Sequence, residues 1–174
     1  MNNSLQFLLL SCLIVVGGCS QSEAIQNNSE AAETLTVADL NVENSDRGLV
    51  TVASPYSVAE TGDRLEEIIT DKGLTLFTRI DHSANAQQVE LELQPTQLII
   101  FGNPKVGTLL MNCSITTAID LPQKFLVLED KDEQTQIIYN SPQYIQQRHN
   151  INGCDKVLNK VSEALKGIAE AASK

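Results

Sequence analysis

The feature that most limits what this chain can fold into is a long polar interval ahead of its regular hydrophobic pattern. Between Ser20 and Gly48 the sequence is dominated by Gln, Asn, Ser, Glu, Ala and Thr, with six acids and one base. Its apolar residues are sparse and keep no sustained period. Such a segment cannot bury enough surface to offset its backbone entropy and is expected to stay disordered. Any core must come from residues 49–174, a length that suits one domain. The polar interval then serves as a flexible acidic tether, with a docking arm that folds on a partner as the alternative.

Ahead of the tether, Phe7-Leu8-Leu9-Leu10-Ser11-Cys12-Leu13-Ile14-Val15-Val16 is apolar but falls short of the roughly 20 residues a membrane-spanning helix needs. It suits the core of a secretory signal. Val16-Gly17-Gly18-Cys19 resembles a bacterial lipobox, which implies cleavage after residue 18 and diacylglycerol on the Cys19 sulfur. Two or three acyl chains would anchor the protein stably to a membrane. Ser20, where retention would call for Asp, implies the outer membrane facing the periplasm in a host that has one. Met1 to Gln6 carry no Lys or Arg, so an uncleaved apolar anchor, or a start codon placed too late, is the alternative. The expected organisation is a signal peptide over 1–18, acylated Cys19 with its tether through 48, and a folded domain over 49–174.

From Leu49 the punctuation becomes regular. Leu49 to Ala53 reads as a strand stopped by Ser54-Pro55, and Ser57 with Glu60 forms a capping box. Val58, Leu65, Ile68 and Ile69 then share a helical face that Gly73 ends. Leu74 to Ile80 reads as a strand, with Leu74, Leu76 and Ile80 on one face and Phe77 on the other. A short helix over 83–92, a strand over Thr96 to Phe101 and a turn or two of helix over Pro104 to Asn112 follow. Lys124 to Glu129 and Gln136 to Tyr139 form a hairpin, and a short helix follows Pro142. A final helix from about Gly153 to Ala172 carries Val157, Val161, Ala164, Leu165, Ile168 and Ala172 in one stripe. The resulting order, β-α-β-β-(short α)-β-β-α, predicts an α+β domain with a mostly antiparallel sheet and a long C-terminal helix.

Three segments carry a family likeness. Gly73-Leu74-Thr75-Leu76-Phe77-Thr78-Arg79-Ile80-Asp81-His82, Leu98-Ile99-Ile100-Phe101-Gly102-Asn103-Pro104-Lys105 and Ile119-Asp120-Leu121-Pro122 resemble, in order and spacing, the signatures of the domain-of-unknown-function 302 family. The resemblance implies a fold similar to the TATA-binding-protein class, often dimeric, and no particular activity. Where that family's pattern has Gly-Thr-Pro-Leu-Met, this chain reads Gly107-Thr108-Leu109-Leu110-Met111, which frees one backbone dihedral before an expected buried Met. A nucleic-acid role does not follow from the fold. The formal charge of −10 argues against it, because phosphates need a basic face.

Chemistry-bearing residues are few. Asp81-His82 at a strand end can act together if the chain bends there, with His82 as general base and Asp81 or Asp120 as orienting acid. The plainer reading has Asp81 capping the next helix and His82 fixing the turn. Two His in the whole chain, His82 and His149, and no C-x-x-C or H-x-x-H spacing leave no expected metal site, and no cofactor is called for. Gly102-Asn103-Pro104-Lys105 lacks phosphate-loop spacing and reads as a turn, with an anion site at Lys105 and Thr108 as the alternative.

The expected function is therefore a lipid-anchored envelope protein that binds a small or apolar molecule or a protein partner. Asp81, His82, Asn103, Lys105, Thr108 and Asp120 are the candidate lining residues of a cleft beneath the final helix. The rivals are an envelope hydrolase built on His82 and a non-catalytic dimerising module. Once Cys12 leaves with the signal and Cys19 is acylated, Cys113 and Cys154 are the remaining thiols. Export would let them pair as a disulfide, and the alternative is two separately buried thiols.

Overall fold

Strict alternation organises the sheet. In Thr96–Gly102 the buried residues are Gln97, Ile99 and Phe101, and in Thr135–Asn140 they are Thr135, Ile137 and Tyr139. That period of two points one set of side chains at a covered face. The computed structural model describes residues 47–174. The expected signal peptide, Cys19 and all of the tether but its last two residues lie outside the described residues.

The element order is β1 (Leu49–Ser54), α1 (Val58–Asp71), β2 (Thr75–Asp81), α2 (His82–Gln87), β3 (Thr96–Gly102), α3 (Pro104–Cys113), a 3-10 turn (Ile115–Ile119), β4 (Gln123–Glu129), β5 (Thr135–Asn140), α4 (Pro142–Arg148) and α5 (Asp155–Ala172). All neighbouring strands pair antiparallel in the order β1-β5-β4-β3-β2. The α+β class and the long C-terminal helix are as expected. The 3-10 turn between α3 and β4 had no sequence counterpart.

Capping chemistry sets the bounds of α1, whereas α5 starts after Cys154 without a side-chain cap. Ser57 Oγ accepts the Glu60 N–H at 3.2 Å and starts α1, and Gly73, with φ +68°, ends it. Val58, Leu65 and Ile69 of α1 are buried with Leu158, Val161, Leu165 and Ile168 of α5. Both helices cover one face of the sheet, whose contribution is Ile99, Phe101, Phe125, Val127, Ile137 and Tyr139. Phe125 sits at the centre, stacked on Phe101 at 4.9 Å between ring centroids and edge-on to Tyr139 at 5.5 Å. Truncating it to Ala would cost about 3–5 kcal/mol.

The facing of β2 differs from the expectation. Leu76 pairs with Phe101, but Thr78, not Phe77, pairs with Ile100, so Phe77 is the extra residue of a bulge. Register flips there. Leu76 and Arg79 face the helices while Ile80 joins Leu98 on the opposite side, and Leu76 and Ile80 do not share a face. The sheet face opposite α1 and α5 consequently carries a row that crosses four strands, Ile80, Leu98, Leu126 and Ile138, all half-buried.

Two glycines mark close approaches. A Cβ on Gly62 would fall 2.4 Å from Arg79 Nη2, so α1 can lie this near to β2 only without a side chain there. Gly48, with φ +70°, lies under the Tyr144 ring, where a Cβ would be 2.1 Å from Cγ. Its carbonyl accepts the Ser141 N–H at 2.9 Å.

Candidate ligand cavity

At the end of β3 three walls fail to close. The floor is Phe101, Leu74 and Phe77 from the sheet end, one wall is Val106, Leu110 and Met111 of α3, and the other is Val161, Ala164, Leu165 and Ile168 of α5. The third wall is Ala118, Leu121 and Pro122, leading from the 3-10 turn into β4. They enclose an open cavity of about 390 Å³, within the roughly 300–1,000 Å³ of small-ligand sites. Met111, expected to be buried, is half-buried and lines it. Lys160 is the one charged residue among those lining it.

Local chemistry explains why α3 stands where it does. Asn103 Oδ1 accepts the N–H groups of Lys105 at 3.0 Å and Val106 at 3.3 Å, and Pro104 follows at the first helical position. Thr108 Oγ1 donates to the Pro104 carbonyl at 2.8 Å. Asn103 and Thr108 thus lie among the cavity-lining residues, while Lys105 is exposed beside the cavity and is not among them.

The other candidates lie elsewhere. Asp81 is level with Gln97 and Val127, whereas Asp120 precedes Gln123, which is level with Phe101. Four residues of β4 separate those levels, about 13 Å at the rise of a strand. His82 and Asp120 therefore do not converge, and neither Asp81 nor His82 lines the cavity. Asp81 caps α2. Its Oδ1 accepts the Ala84 N–H at 2.8 Å and the Ser83 hydroxyl at 2.7 Å, and its Oδ2 accepts the Gln97 amide at 3.1 Å. These bonds, led by that from Ala84, lower its pKa to about 2. The His82 ring has no hydrogen-bond partner among the described residues, so it does not fix the turn.

Asp120 has a different histidine. His149 Nε2 lies 2.5 Å from Asp120 Oδ2, and His149 Nδ1 lies 2.9 Å from Thr116 Oγ1. Arg148 Nη1 approaches Asp120 Oδ1 at 3.3 Å. Lys124 Nζ donates to the Asp120 and Pro122 carbonyls, each at 2.9 Å, and burial lowers its pKa against the opposing pull of Asp120. The cluster joins the 3-10 turn to the end of α4. Thr116 and His149 are not among the cavity-lining residues, so the arrangement serves as a pin for the third wall. Neither residue was a sequence candidate. The Arg148-His149 pair at the end of α4 was a signal, but its partner 29 residues away was not.

Cys113 ends α3 and Cys154 precedes α5, with Cα atoms 6.5 Å apart, within the range of a disulfide. A bond there would tie together the two helices that wall the cavity. Among the described residues, no group of three or more His, Cys, Asp or Glu is placed to hold a metal, and no helix is long and apolar enough to cross a membrane.

The profile of the family described as Domain of unknown function DUF302 matches residues 50–170. The chain belongs to the DUF302 family. A solved DUF302 relative, an uncharacterised conserved protein from Bacillus stearothermophilus, superposes with a TM-score of 0.65 at 19% identity, covering 72% of this chain and 98% of that one. That likeness shows the fold. The chain is also 45% identical over 106 residues to proteins named fluoride-specific ion channel FluC 1 from Brucella suis and Brucella abortus. The match takes in 61% of this DUF302 chain but only 42% and 39% of those relatives.

Proposed function

We propose that this DUF302 domain holds a small apolar molecule, an aliphatic chain, in the cavity between α3, α5 and the end of β3, and that a lipid on Cys19 keeps it in the cell envelope. The observation that carries the reading is the composition of the cavity: nearly every lining side chain is apolar, with Asn103, Thr108, Gln123 and Lys160 as polar exceptions. Apolar walls with a few polar groups at the rim suit a ligand with a long apolar body and a polar end. A hydrolase built on His82 has no comparable support, because Asp81 is engaged as a helix cap and Asp120 binds His149. The Brucella relatives bear the name of an ion channel, which supports a place of work beside a membrane.

Uptake of cis-parinaric acid by the purified protein, followed by its fluorescence, tests the reading. Ala164→Trp, which adds bulk from an exposed position on the α5 wall, should abolish uptake without unfolding the protein. Equal uptake by that variant would refute the site.

A second reading concerns assembly. The apolar row Ile80, Leu98, Leu126 and Ile138, on the sheet face opposite α1 and α5, favours a homodimer formed face to face. Sedimentation velocity of wild type and Leu126→Glu decides it: a dimer that the variant converts to monomer is expected, and a wild-type monomer at tens of micromolar rejects it.

A further inference from the structure

The cavity has an unusual rim. Ile115 and Ile119 of the 3-10 turn are 72% and 74% exposed, and Phe77 on the opposite side is 51% exposed. In a 3-10 helix residues three apart eclipse, so Ile115 stands on the same face as Ala118, which lines the cavity. Leu109, on α3 between the lining residues Thr108 and Leu110, is also exposed. Ile119 adjoins Ala118 in the chain on the Thr116 side of the turn, so exposed apolar side chains stand at the opening and next to it.

Charge separates this rim from the rest of the molecule. The protein carries −10 overall, yet from Leu93 to Ile119 it has no carboxylate and one cation, Lys105. Lys160 adds a second cation from the α5 wall, where the exposed Glu163 is the nearest carboxylate in sequence. The next carboxylate, Asp120, is turned inward on His149 and Arg148. A second exposed apolar group, Val89, Leu91 and Leu93, lies before β3 at the other end of the sheet, and there Glu90 and Glu92 alternate with the aliphatics. Those two carboxylates have no Lys beside them and would be repelled by an anionic surface, whereas at the cavity rim Lys105 and Lys160 outnumber Glu163.

We infer that the cavity mouth docks on an anionic lipid surface, with Ile115, Ile119, Leu109 and Phe77 entering the headgroup boundary, Lys105 and Lys160 meeting lipid phosphates, and a lipid acyl chain passing directly into the cavity. This rests on the apolar-ligand reading above and supplies the source of the ligand. The physics is that of interfacial binding: buried apolar area adds to attraction between Lys and anionic headgroups. Lysine stems also lie along apolar surface while the ammonium stays in water.

The test uses residues 47–174, which contain the whole described core and correspond to a solved relative that is almost all this domain. Sedimentation is measured with vesicles of phosphatidylcholine mixed with phosphatidylglycerol, and with phosphatidylcholine alone. Wild type should sediment with the mixed vesicles and less with the neutral ones. Ile115→Ser/Ile119→Ser, at exposed positions outside the cavity lining, should lose vesicle binding by about tenfold while taking up parinaric acid as wild type does. Ala164→Trp should lose parinaric acid uptake and still sediment with vesicles. Wild type that takes up parinaric acid but ignores both vesicles overturns the docking and leaves the cavity reading intact. Vesicle binding unchanged in the double Ser variant also overturns it. So does a double Ser variant whose only change is loss of a dimer, which would assign the rim to a second copy of the chain.

Discussion

Asp120 and His149, 29 residues apart in sequence, meet at 2.5 Å and hold the 3-10 turn against the end of α4. The turn supplies Ala118 to the cavity, so this pair fixes one wall. His149→Ala would leave Asp120, which is 12% exposed, with Arg148 as its remaining side-chain partner. A loss of about 2 kcal/mol is expected in urea unfolding, with a smaller loss in Asp120→Asn, which keeps an acceptor. Reduced parinaric acid uptake in His149→Ala at temperatures where it remains folded would show the wall loosening.

Gly62 and Arg79 form a second dependent pair. Arg79 Nη1 bonds Asp63 Oδ1 at 2.6 Å, Nη2 bonds the Ala59 carbonyl at 3.0 Å, and Nε bonds Gln97 Oε1 at 3.0 Å. Ala at 62 would displace the guanidinium from these partners, and the expected net cost is about 1–2 kcal/mol despite the better helix propensity of Ala. Most of that cost should be absent when Gly62→Ala is introduced into an Arg79→Met background, because the displaced group is then missing. A double-mutant cycle by thermal unfolding reads the coupling.

Acid sensitivity follows from Asp81. Its folded pKa of about 2 lies below the unfolded value of about 3.9, so its contribution to stability is present above pH ~3.9 and is lost as pH falls toward 2. Asp130 adds in the same direction, its pKa lowered first by the Gln134 N–H and then by Gln136. Asp81→Asn should flatten the fall of stability with pH in that window while retaining a cap. Asp81→Ala should cost about 1 kcal/mol near neutrality through loss of the cap. An Asn variant with the wild-type acid profile would assign the slope to other carboxylates.

Cys113 and Cys154 should resist alkylation in freshly isolated, denatured, unreduced protein, and both should react after a dithiol reductant. The enclosed segment, with a sequence separation of 41, suggests that Cys154→Ser would cost roughly 3–4 kcal/mol. Two alkylated thiols without reductant would mean a pair of reduced, packed cysteines.

How much of this was legible in the sequence depended on range. The capping box at Ser57, the stop at Gly73 and the alternation of Thr96 to Phe101 are local signals, and each element forms within a residue or two of its expected bounds. The β2 bulge escaped because an inserted residue leaves composition unchanged and shifts only the register with β3. In α5 the buried set includes Leu158 and Ala169, while Ala164 of the expected stripe is exposed on the cavity wall. The site was least legible because cavity walls and packed cores use the same residues. Asn103 and Thr108 stand out in sequence through turn and helix-start chemistry, and the apolar lining reads in sequence as ordinary core. The assignment of Asp120 to His82 failed because proximity in the motifs said nothing about the two ends of β4.

The contact between Gly48 and Tyr144 bears on how the domain withstands load. Tension on the chain through residue 47 meets the Tyr144 ring and the Gly48–Ser141 hydrogen bond before it reaches the six paired residues of β1. That clamp belongs to α4, so the pull is shared with the helical layer instead of peeling an edge strand from its first rung. Force spectroscopy through the N-terminus should therefore show a higher rupture force for wild type than for Tyr144→Ala, and equal forces would mean that β1 alone carries the load.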